Sequence, residues 1–162
     1  MTSTMRFLSP SEYQQFCDER FSHYRALLKG ILPQARVEHI GASAIPNAIS
    51  KGDLDIFVGV KAAEFESTVL KIIDLGFQEK QDTLRTDELC MLESEYEDVA
   101  IQVVANGSKF EDFLVFRDAL LADSALVEQY NQLKKSCEGC SEGDYRERKS
   151  VFITKVLSEA YQ

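Results

Sequence analysis

The pattern of apolar and polar residues predicts a first part of mixed secondary structure. Behind Ser9, Pro10 and Glu12, apolar side chains recur at helical spacing as far as residue 32. Those three residues are a typical helix start: a capping residue, a proline at the first helical position and a capping-box glutamate. Four apolar runs then predict strands, at residues 35–40, 53–60, 83–95 and 98–107.

Helical spacing returns in the middle of the chain and dominates its end. Residues 62–77 predict a second helix that stops at Gly76. Three further helices are predicted at residues 110–123, 124–137 and 145–161. We therefore predict one domain over residues 1–162, with a mixed α/β core (1–107) followed by C-terminal helices (108–162).

Composition and charge narrow the class of protein. The chain is 44% hydrophobic, with a formal net charge of -9 and an isoelectric point near 4.8. Such an acidic chain is not expected to bind duplex nucleic acid, and a polyanionic ligand would need local cations or metal. No apolar run approaches the roughly 18 residues of a membrane span, and no signal-peptide core is present. These features predict a cytoplasmic protein without a membrane partner.

Four cysteines leave a redox or zinc site open as an alternative, because Cys137 and Cys140 are spaced as C-E-G-C. A zinc site of this kind needs four nitrogen or sulfur ligands, and the two histidines, His23 and His39, have no finger-like spacing. We therefore expect all four cysteines to be reduced thiols.

Two aspartates stand within the second predicted strand. Side chains two apart in a strand point to one face, so Asp53 and Asp55 are expected to be neighbours. Two such charges about 4 Å apart repel by about 4 kcal/mol at an effective dielectric of 20. A divalent cation bound between them makes the electrostatic energy of the pair favourable. The alternative is that Asp53 caps the turn after Gly52 and Asp55 pairs with an arginine or lysine.

A turn rich in small residues precedes the aspartate pair and predicts a phosphate site. Gly41 leaves the first strand and can bring backbone N–H groups close to a ligand, while Ser43 adds a hydroxyl donor. A phosphate turn followed by a metal-binding pair is more specific than either feature alone.

Three segments together resemble the GrpB family of nucleotidyltransferase-fold proteins. They are VEHIGASAIPNAISKGDLDIFV, FLVFRDALLADSALVEQYNQLKK and YRERKSVFITKVL, and they span nearly the whole chain in the family's order. The resemblance implies an α/β fold of the α+β type, in which a small nucleotidyltransferase-like mixed sheet has helices packed on one side and a helical C-terminal part.

The resemblance also implies a chemistry. In active enzymes of this fold an acceptor hydroxyl attacks the α-phosphate of a nucleoside triphosphate, and pyrophosphate leaves. Asp53 and Asp55 would be the metal ligands, for Mg²⁺ or Mn²⁺, and Lys51 would neutralise phosphate charge. The turn that holds the triphosphate would consist of Gly41, Ala42 and Ser43.

The chain departs from the active pattern at the third carboxylate. Gln102 stands where active enzymes carry an acid, and a neutral amide brings no charge and cannot serve as a strong base. Asp98 shares its predicted face and is a candidate substitute. Ala42 replaces a serine of the family pattern, and Asn47 replaces a glycine.

Further candidates lie outside the pair and the turn. Arg117, Arg146 and Lys149 match family segments or lie one helical turn from a match, and they would surround phosphates. Alternatively, Arg117 pairs with a carboxylate on the next helix and Arg146 is solvated. His39 is a substrate-site candidate or a core imidazole. We expect a helix-bundle core, rather than a base-stacking platform, from an apolar stripe made of Phe110, Phe113, Leu114, Phe116, Leu120 and Leu121.

Three functions therefore remain open. The first is a metal-dependent nucleotidyltransferase that moves a nucleoside monophosphate to an unknown acceptor. The second is a module with a degenerate site that binds a nucleotide or another phosphorylated small molecule without turnover. The third is a protein-interaction role, in which the acidic surface faces a basic partner.

Overall fold

The computed structural model describes residues 5–162, and within that range the chain forms five helices and five strands. The helices are α1 (Pro10–Ile31), α2 (Phe65–Ile73), α3 (Asp112–Ala122), α4 (Ser124–Ser136) and α5 (Glu142–Ala160). The strands are β1 (Arg36–Ile40), β2 (Leu54–Val60), β3 (Phe77–Glu79), β4 (Leu89–Ser94) and β5 (Val99–Ala105). The order of elements predicted from the sequence is confirmed, apart from β3.

Helix α1 begins where its sequence signature predicts. Ser9 has extended backbone geometry, its backbone N–H donates to Glu12 Oε1 over 2.8 Å, and Pro10 is the first helical residue. The capping box satisfies N–H groups that the first helical turn leaves without partners. The buried face of α1 then packs onto the sheet through Tyr13, Cys17, Tyr24 and Leu28.

The five strands form one mixed sheet in the order β1-β2-β5-β4-β3. Only β2 and β5 pair in parallel, with Asp55 opposite Ala100 and Phe57 opposite Gln102. The other neighbouring strands are antiparallel. This register places Asp55 and Gln102 on the same face of adjacent central strands, because side chains alternate along a strand.

The two faces of the sheet have different coverings. Leu54, Ile56 and Val58 of β2 belong to the main core, which α1 and α2 cover. On the opposite face, Phe57 packs with Leu114 of α3 in a smaller cluster. The helices α1 and α2 thus lie on one side as predicted, and the opposite face carries the aspartate side chain and is only partly covered.

The C-terminal helices pack against the connection between β1 and β2. Ile45 and Ala48 of that connection are buried with Leu120, Tyr130 and Phe152, one from each of α3, α4 and α5. Because this connection also carries Lys51, the C-terminal helices fix the segment that leads into the aspartate pair.

Two strands differ most from the prediction, and the bounds of α2 and α5 also differ by up to four residues. The run at residues 83–95 becomes a strand only from Leu89, because the residues before it form bends and a turn. The three residues of β3 were assigned no strand, since a run that short has no detectable period.

The cysteines and the membrane prediction can also be compared with the structure. All four cysteines are free, and Cys17, Cys90 and Cys137 are buried, as expected for reduced thiols. Across residues 5–162, none of the helices combines the length and the apolar character needed to cross a bilayer.

Candidate phosphate and metal cleft

A cleft of about 550 Å³ opens over the partly covered face of the sheet. Its floor is made by the end of β1, the start of β2 and the middle of β5, and its walls by α3, α4 and α5. Eight of the residues singled out from the sequence line it: Gly41, Ala42, Lys51, Asp53, Asp55, Gln102, Arg146 and Lys149. The fold thus brings together residues that lie more than 100 positions apart.

Gly41 and Asp55 are in direct contact across β1 and β2. Gly41 has a φ of +75°, and a Cβ added there would lie 2.6 Å from Asp55 Oδ2. Only glycine combines that backbone conformation with such a close approach. The glycine of the turn therefore has a second role beyond exposing backbone N–H groups, since it leaves room for the carboxylate.

Neither aspartate has a cationic partner in direct contact. Among residues 5–162, no lysine or arginine nitrogen lies within 4.0 Å of a carboxylate oxygen of Asp53 or Asp55. Asp53 accepts one long hydrogen bond of 3.4 Å from Ser50 Oγ. The expected alternative, in which a resident arginine or lysine pairs with Asp55, is not found in this part of the chain.

The electrostatics of Asp55 are those of a carboxylate without a counterion. Burial, followed by the charge of Asp53, raises the pKa of Asp55 well above its usual range, and Lys149 and Lys51 oppose that rise only partly. A divalent cation between the two carboxylates would remove the repulsion that raises this pKa.

Gln102 adds a buried amide beside Asp55, and a hydrogen bond from it lowers the pKa of that carboxyl in part. The residue is 8% exposed, and its Oε1 has no hydrogen-bond partner within the described residues. An unpaired buried oxygen is unfavourable unless a ligand or ion pairs with it. Asp98 is exposed and lies outside the cleft lining, so it does not replace the missing acid there. No cluster of three or more acidic, histidine or cysteine side chains suited to a metal occurs in residues 5–162.

His39 and Ser43 lie outside the cleft lining. His39 Nε2 and Ser43 Oγ are 2.7 Å apart and hydrogen-bonded, and the imidazole stacks on Phe21 of α1 with ring centroids 4.7 Å apart. His39 Nδ1 lies 3.7 Å from Asp18 Oδ1. Burial lowers the pKa of His39, which favours the neutral ring. Both side chains therefore belong to the α1 face of the turn, and the Ser43 hydroxyl does not point to a ligand in the cleft.

Arg117 pairs with a carboxylate, but not with one on the next helix. Its Nη1 lies 2.8 Å from Glu38 Oε1 on β1, and its Nη2 lies 2.8 Å from Asp118 Oδ1 on its own helix. The same Nη1 donates to the carbonyl oxygen of His39 over 3.1 Å. Arg117 thus holds α3 on the edge of β1, outside the cleft.

The cleft is rich in cations although the protein is acidic overall. Lysines and one arginine come from the connection before β2, from the end of β3 and from the C-terminal helices. They are Lys51, Lys80, Lys109, Lys134, Arg146 and Lys149, against four acids, Asp53, Asp55, Asp112 and Glu142. A local excess of positive charge in a protein of net charge -9 favours an anionic ligand.

Lys134 was not identified from the sequence, although a signal for it exists. It is 2% exposed, and its Nζ lies 3.8 Å from the centroid of the Tyr130 ring. Val127, Tyr130 and Lys134 are spaced three and four residues apart, which places the lysine on the buried face of α4. The following Lys135 is exposed, and two adjacent lysines at the end of a helix are usually both solvated.

The apolar stripe of α3 is only partly a helix core. Leu114 and Leu120 are buried, and Leu121 is 51% exposed. Phe110, Phe113 and Phe116 are partly buried, pack against core clusters as expected, and also line the cleft. The cleft consequently has an aromatic wall beside its charged floor.

The raised pKa of Asp55 predicts a stability effect with a defined sign. The folded state keeps a proton on Asp55 at pH values where the unfolded chain, with a pKa of about 3.9, has lost it. The free energy of unfolding therefore falls as pH rises from the unfolded to the folded pKa. Without metal, we expect Asp55→Asn to raise the melting temperature at pH 8 by about 3 °C, for about 1 kcal/mol, and by a smaller amount at pH 5.

Differential scanning fluorimetry of the metal-free protein at the two pH values measures this effect. Asp87→Asn, at an exposed position outside the cleft, is the matched control and should change neither value. An Asp55→Asn protein that melts lower than the wild type at pH 8 would show that the carboxylate is already compensated.

The five-stranded mixed sheet, the helices on it and the helical C-terminal part define a mixed α/β protein, which confirms the predicted fold class. The chain belongs to the GrpB family, whose model, described as GrpB protein, matches residues 11–159. The resemblance recognised from the sequence is thereby confirmed.

One relative and one solved GrpB structure agree with this assignment, and a more distant structure overlaps part of the chain. A UPF0157 protein of Vibrio cholerae is 55% identical over 157 residues, covering 96% of this chain and 84% of that one. The crystal structure of the conserved protein GrpB from Enterococcus faecalis has a TM-score of 0.78 at 24% identity and covers 96% of both chains. A cytoplasmic RNA terminal U-transferase overlaps 76% of this chain and 45% of its own, at 19% identity and a TM-score of 0.47.

Proposed function

We propose that this protein is a metal-dependent nucleotidyltransferase that transfers a nucleoside monophosphate from a nucleoside triphosphate to an acceptor hydroxyl. The observation that carries the proposal is the pair Asp53 and Asp55, which lacks a cationic partner within the described residues and lies in a cleft with excess positive charge. An acidic pair among lysines suits a ligand that carries both cations and phosphates. The bound cation would satisfy the carboxylates, and the phosphates would satisfy the lysines.

The donor set fits Mg²⁺ or Mn²⁺. Asp53 and Asp55 offer carboxylate oxygens, and Gln102 offers a buried amide oxygen without a hydrogen-bond partner in the described chain. Hard divalent cations prefer oxygen ligands and fill their remaining positions with water and substrate phosphates. A cation bound there would neutralise phosphate charge and make the acceptor hydroxyl more acidic.

The residues of the chain position the substrate. Lys51, Lys149 and Arg146 can neutralise the triphosphate from the connection before β2 and from α5. The aromatic wall, Phe110, Phe113 and Phe116, lies where an apolar part of the ligand can pack. We further propose a cytoplasmic location, which is supported by four free cysteines and by a function that uses cellular triphosphates.

One observation favours a second candidate function. Gln102 stands where active enzymes of this fold carry their third acid, and within residues 5–162 no other acid completes the group. An amide brings no charge and accepts no proton at neutral pH. The second candidate is therefore a module that binds a nucleotide or another phosphorylated small molecule through the same cleft, without turnover.

A paired assay separates these functions. The protein is incubated with ATP, CTP, GTP or UTP and Mg²⁺, and pyrophosphate release is measured beside the shift of the melting temperature. Release of pyrophosphate with at least one nucleotide supports the transferase. A Mg²⁺-dependent thermal shift without pyrophosphate, at high protein concentration, supports the binding module. If no nucleotide shifts the melting temperature, both proposals fail.

Gln102→Glu tests whether the third position limits metal binding. A carboxylate there adds charge to the donor set, and we expect it to tighten Mn²⁺ binding by about tenfold. It should also lower the melting temperature of the metal-free protein, because a third buried acid adds repulsion to Asp55. Isothermal titration calorimetry with Mn²⁺ measures the first effect.

Gln102→Leu is the matched control, since it replaces the amide by an apolar side chain of similar size and so removes the oxygen. It should weaken Mn²⁺ binding and leave the sheet intact. Equal Mn²⁺ affinities for the wild type, Gln102→Glu and Gln102→Leu would place the cation elsewhere.

A further inference from the structure

Lys134 is a buried charged side chain that the fold alone does not account for. It is 2% exposed, lines the cleft, and lies at the end of α4 that faces the β1–β2 connection. Its Nζ donates to the carbonyl oxygen of Ile49 over 2.6 Å, the single hydrogen bond that this ammonium group makes to the described residues. An ammonium group has three donors, and besides Ile49 it contacts only the face of the Tyr130 ring, 3.8 Å from Nζ, among the described residues, so two donors lack a hydrogen-bond acceptor. Burying such a group is unfavourable unless those donors find partners.

The segment that Lys134 contacts belongs to the site. Asn131, one turn earlier on α4, accepts from the backbone N–H of Ile49 over 2.9 Å and donates to the carbonyl oxygen of Asn47 over 2.8 Å. These contacts alone hold the segment on α4. The segment therefore does not need Lys134 to stay attached to α4. A leucine or methionine would fill the same volume without a buried charge.

We propose that Lys134 binds an anionic phosphate oxygen of the ligand in the cleft. This proposal rests on the proposed function, because it assigns a polyphosphate group to the same cleft. The two donors that Ile49 does not use would bond the phosphate, and Lys51 and Lys149 of the same lining would hold the rest of it.

The groups around Lys134 explain why its side chain carries less than a full positive charge when no ligand is bound. Burial, with the charge of Lys149, lowers the pKa of Lys134 to about 7, although Asp53 and Asp55 oppose this and Lys51 adds to it. Among the aromatic neighbours, burial raises the pKa of Tyr130 on α4, Tyr145 on α5 and Tyr13 on α1, so all three stay neutral. A bound polyanion adds negative charge and restores the proton.

The first test is binding. Inorganic tripolyphosphate and ATP are titrated into protein saturated with Mn²⁺, and AMP serves to separate the polyphosphate group from the nucleoside. We expect Lys134→Met to weaken tripolyphosphate and ATP binding by about 10- to 100-fold, the effect of one lost charged hydrogen bond, and to leave Mn²⁺ affinity unchanged. Lys135→Met, at the exposed neighbour outside the cleft, should bind like the wild type.

The second test counts protons and needs no variant. Calorimetric titration in buffers of different ionisation enthalpy gives the protons taken up per ligand. With a pKa of about 7, the wild type should take up most of one proton at pH 8 and little at pH 6. Prior saturation with Mn²⁺ removes the contribution of Asp55. Lys134→Arg, which keeps its charge, should bind tripolyphosphate at pH 8 without that uptake.

Each outcome has a defined meaning. Binding of ATP that is unchanged in Lys134→Met, with no proton uptake in the wild type, overturns the role of Lys134 and leaves the transferase standing. Tripolyphosphate binding that depends on Lys134, without pyrophosphate release from any nucleotide, supports Lys134 and overturns the transferase. If the wild type binds neither tripolyphosphate nor ATP, both are overturned. If Lys134→Met does not fold, the proton count of the wild type decides.

Discussion

Replacing either aspartate of the cleft pair by asparagine is expected to lower pyrophosphate release by about 10³-fold. Asp53→Asn and Asp55→Asn each remove one of the two negative charges that hold the cation, and metal stabilisation of a phosphoryl-transfer transition state amounts to several kcal/mol. Each variant should also lose the Mg²⁺-dependent rise in melting temperature with nucleotide. The measurements are a continuous pyrophosphate assay and scanning fluorimetry with and without Mg²⁺.

The sign of the stability change separates this effect from simple misfolding. Without metal, Asp55→Asn should be more stable than the wild type at pH 8, because burial and the Asp53 charge raise the pKa of Asp55 and disfavour its ionised form. An inactive variant that melts higher than the wild type cannot be inactive because it is unfolded. Asp87→Asn serves again as the control. Full activity in either cleft variant would exclude the pair as metal ligands.

This opposition between stability and activity follows from the architecture. The parallel pairing of β2 with β5 brings Asp55 and Gln102 to one face of the sheet, and only α3 partly covers that face. A fold selected for stability alone would place apolar side chains there and close the cleft with helices. The unpaired oxygen of Gln102 on the floor and a buried lysine on the wall instead indicate that a charged ligand completes the structure.

Local signals in the sequence were sufficient for most of the fold. The capping box at Ser9, the stop at Gly76 and the alternation along β5 depend on neighbours within a few residues, so they can be read without knowing the tertiary structure. Alternation in the run before Val60 also predicted Asp53 and Asp55 as neighbours, and both line the cleft, although β2 begins one residue after Asp53. The turn at Gly41 precedes the aspartate pair in the sequence, and this order of motifs predicted that they belong to one site.

Contacts between distant segments could not be read in the same way. The sequence does not say which face of β1 receives α1. Ser43 was therefore expected to face a phosphate and His39 was left open, whereas Ser43 bonds to His39 and the His39 ring stacks on Phe21. Arg117 has acidic neighbours on several elements, and the tertiary structure selects Glu38. Lys134 was missed because a lysine near a helix end is usually solvated, and only its spacing from Tyr130 points inward.

The second large effect is expected at Gly41, where the phosphate turn and the metal pair meet. Gly41→Ala should destabilise the protein by about 1–3 kcal/mol and abolish Mg²⁺-dependent nucleotide binding. Its Cβ would lie 2.6 Å from Asp55 Oδ2 at a φ of +75°, so the carboxylate must move. Chemical denaturation measures the free energy of unfolding, and calorimetry with Mn²⁺ and ATP measures binding.

Two further glycine variants and one double variant separate the destabilisation due to backbone strain from that due to the displaced carboxylate. Gly107 has a φ of +86° with open space around it, so Gly107→Ala reports the strain alone and should leave Mn²⁺ and ATP binding intact. Gly30 in α1 also has open space, and Gly30→Ala should stabilise the protein slightly. In an Asp55→Ala background, Gly41→Ala should destabilise the protein less than in the wild type, because Oδ2 is gone. Equal destabilisation in both backgrounds would mean that Gly41 serves only the turn and does not make room for the metal-binding carboxylate.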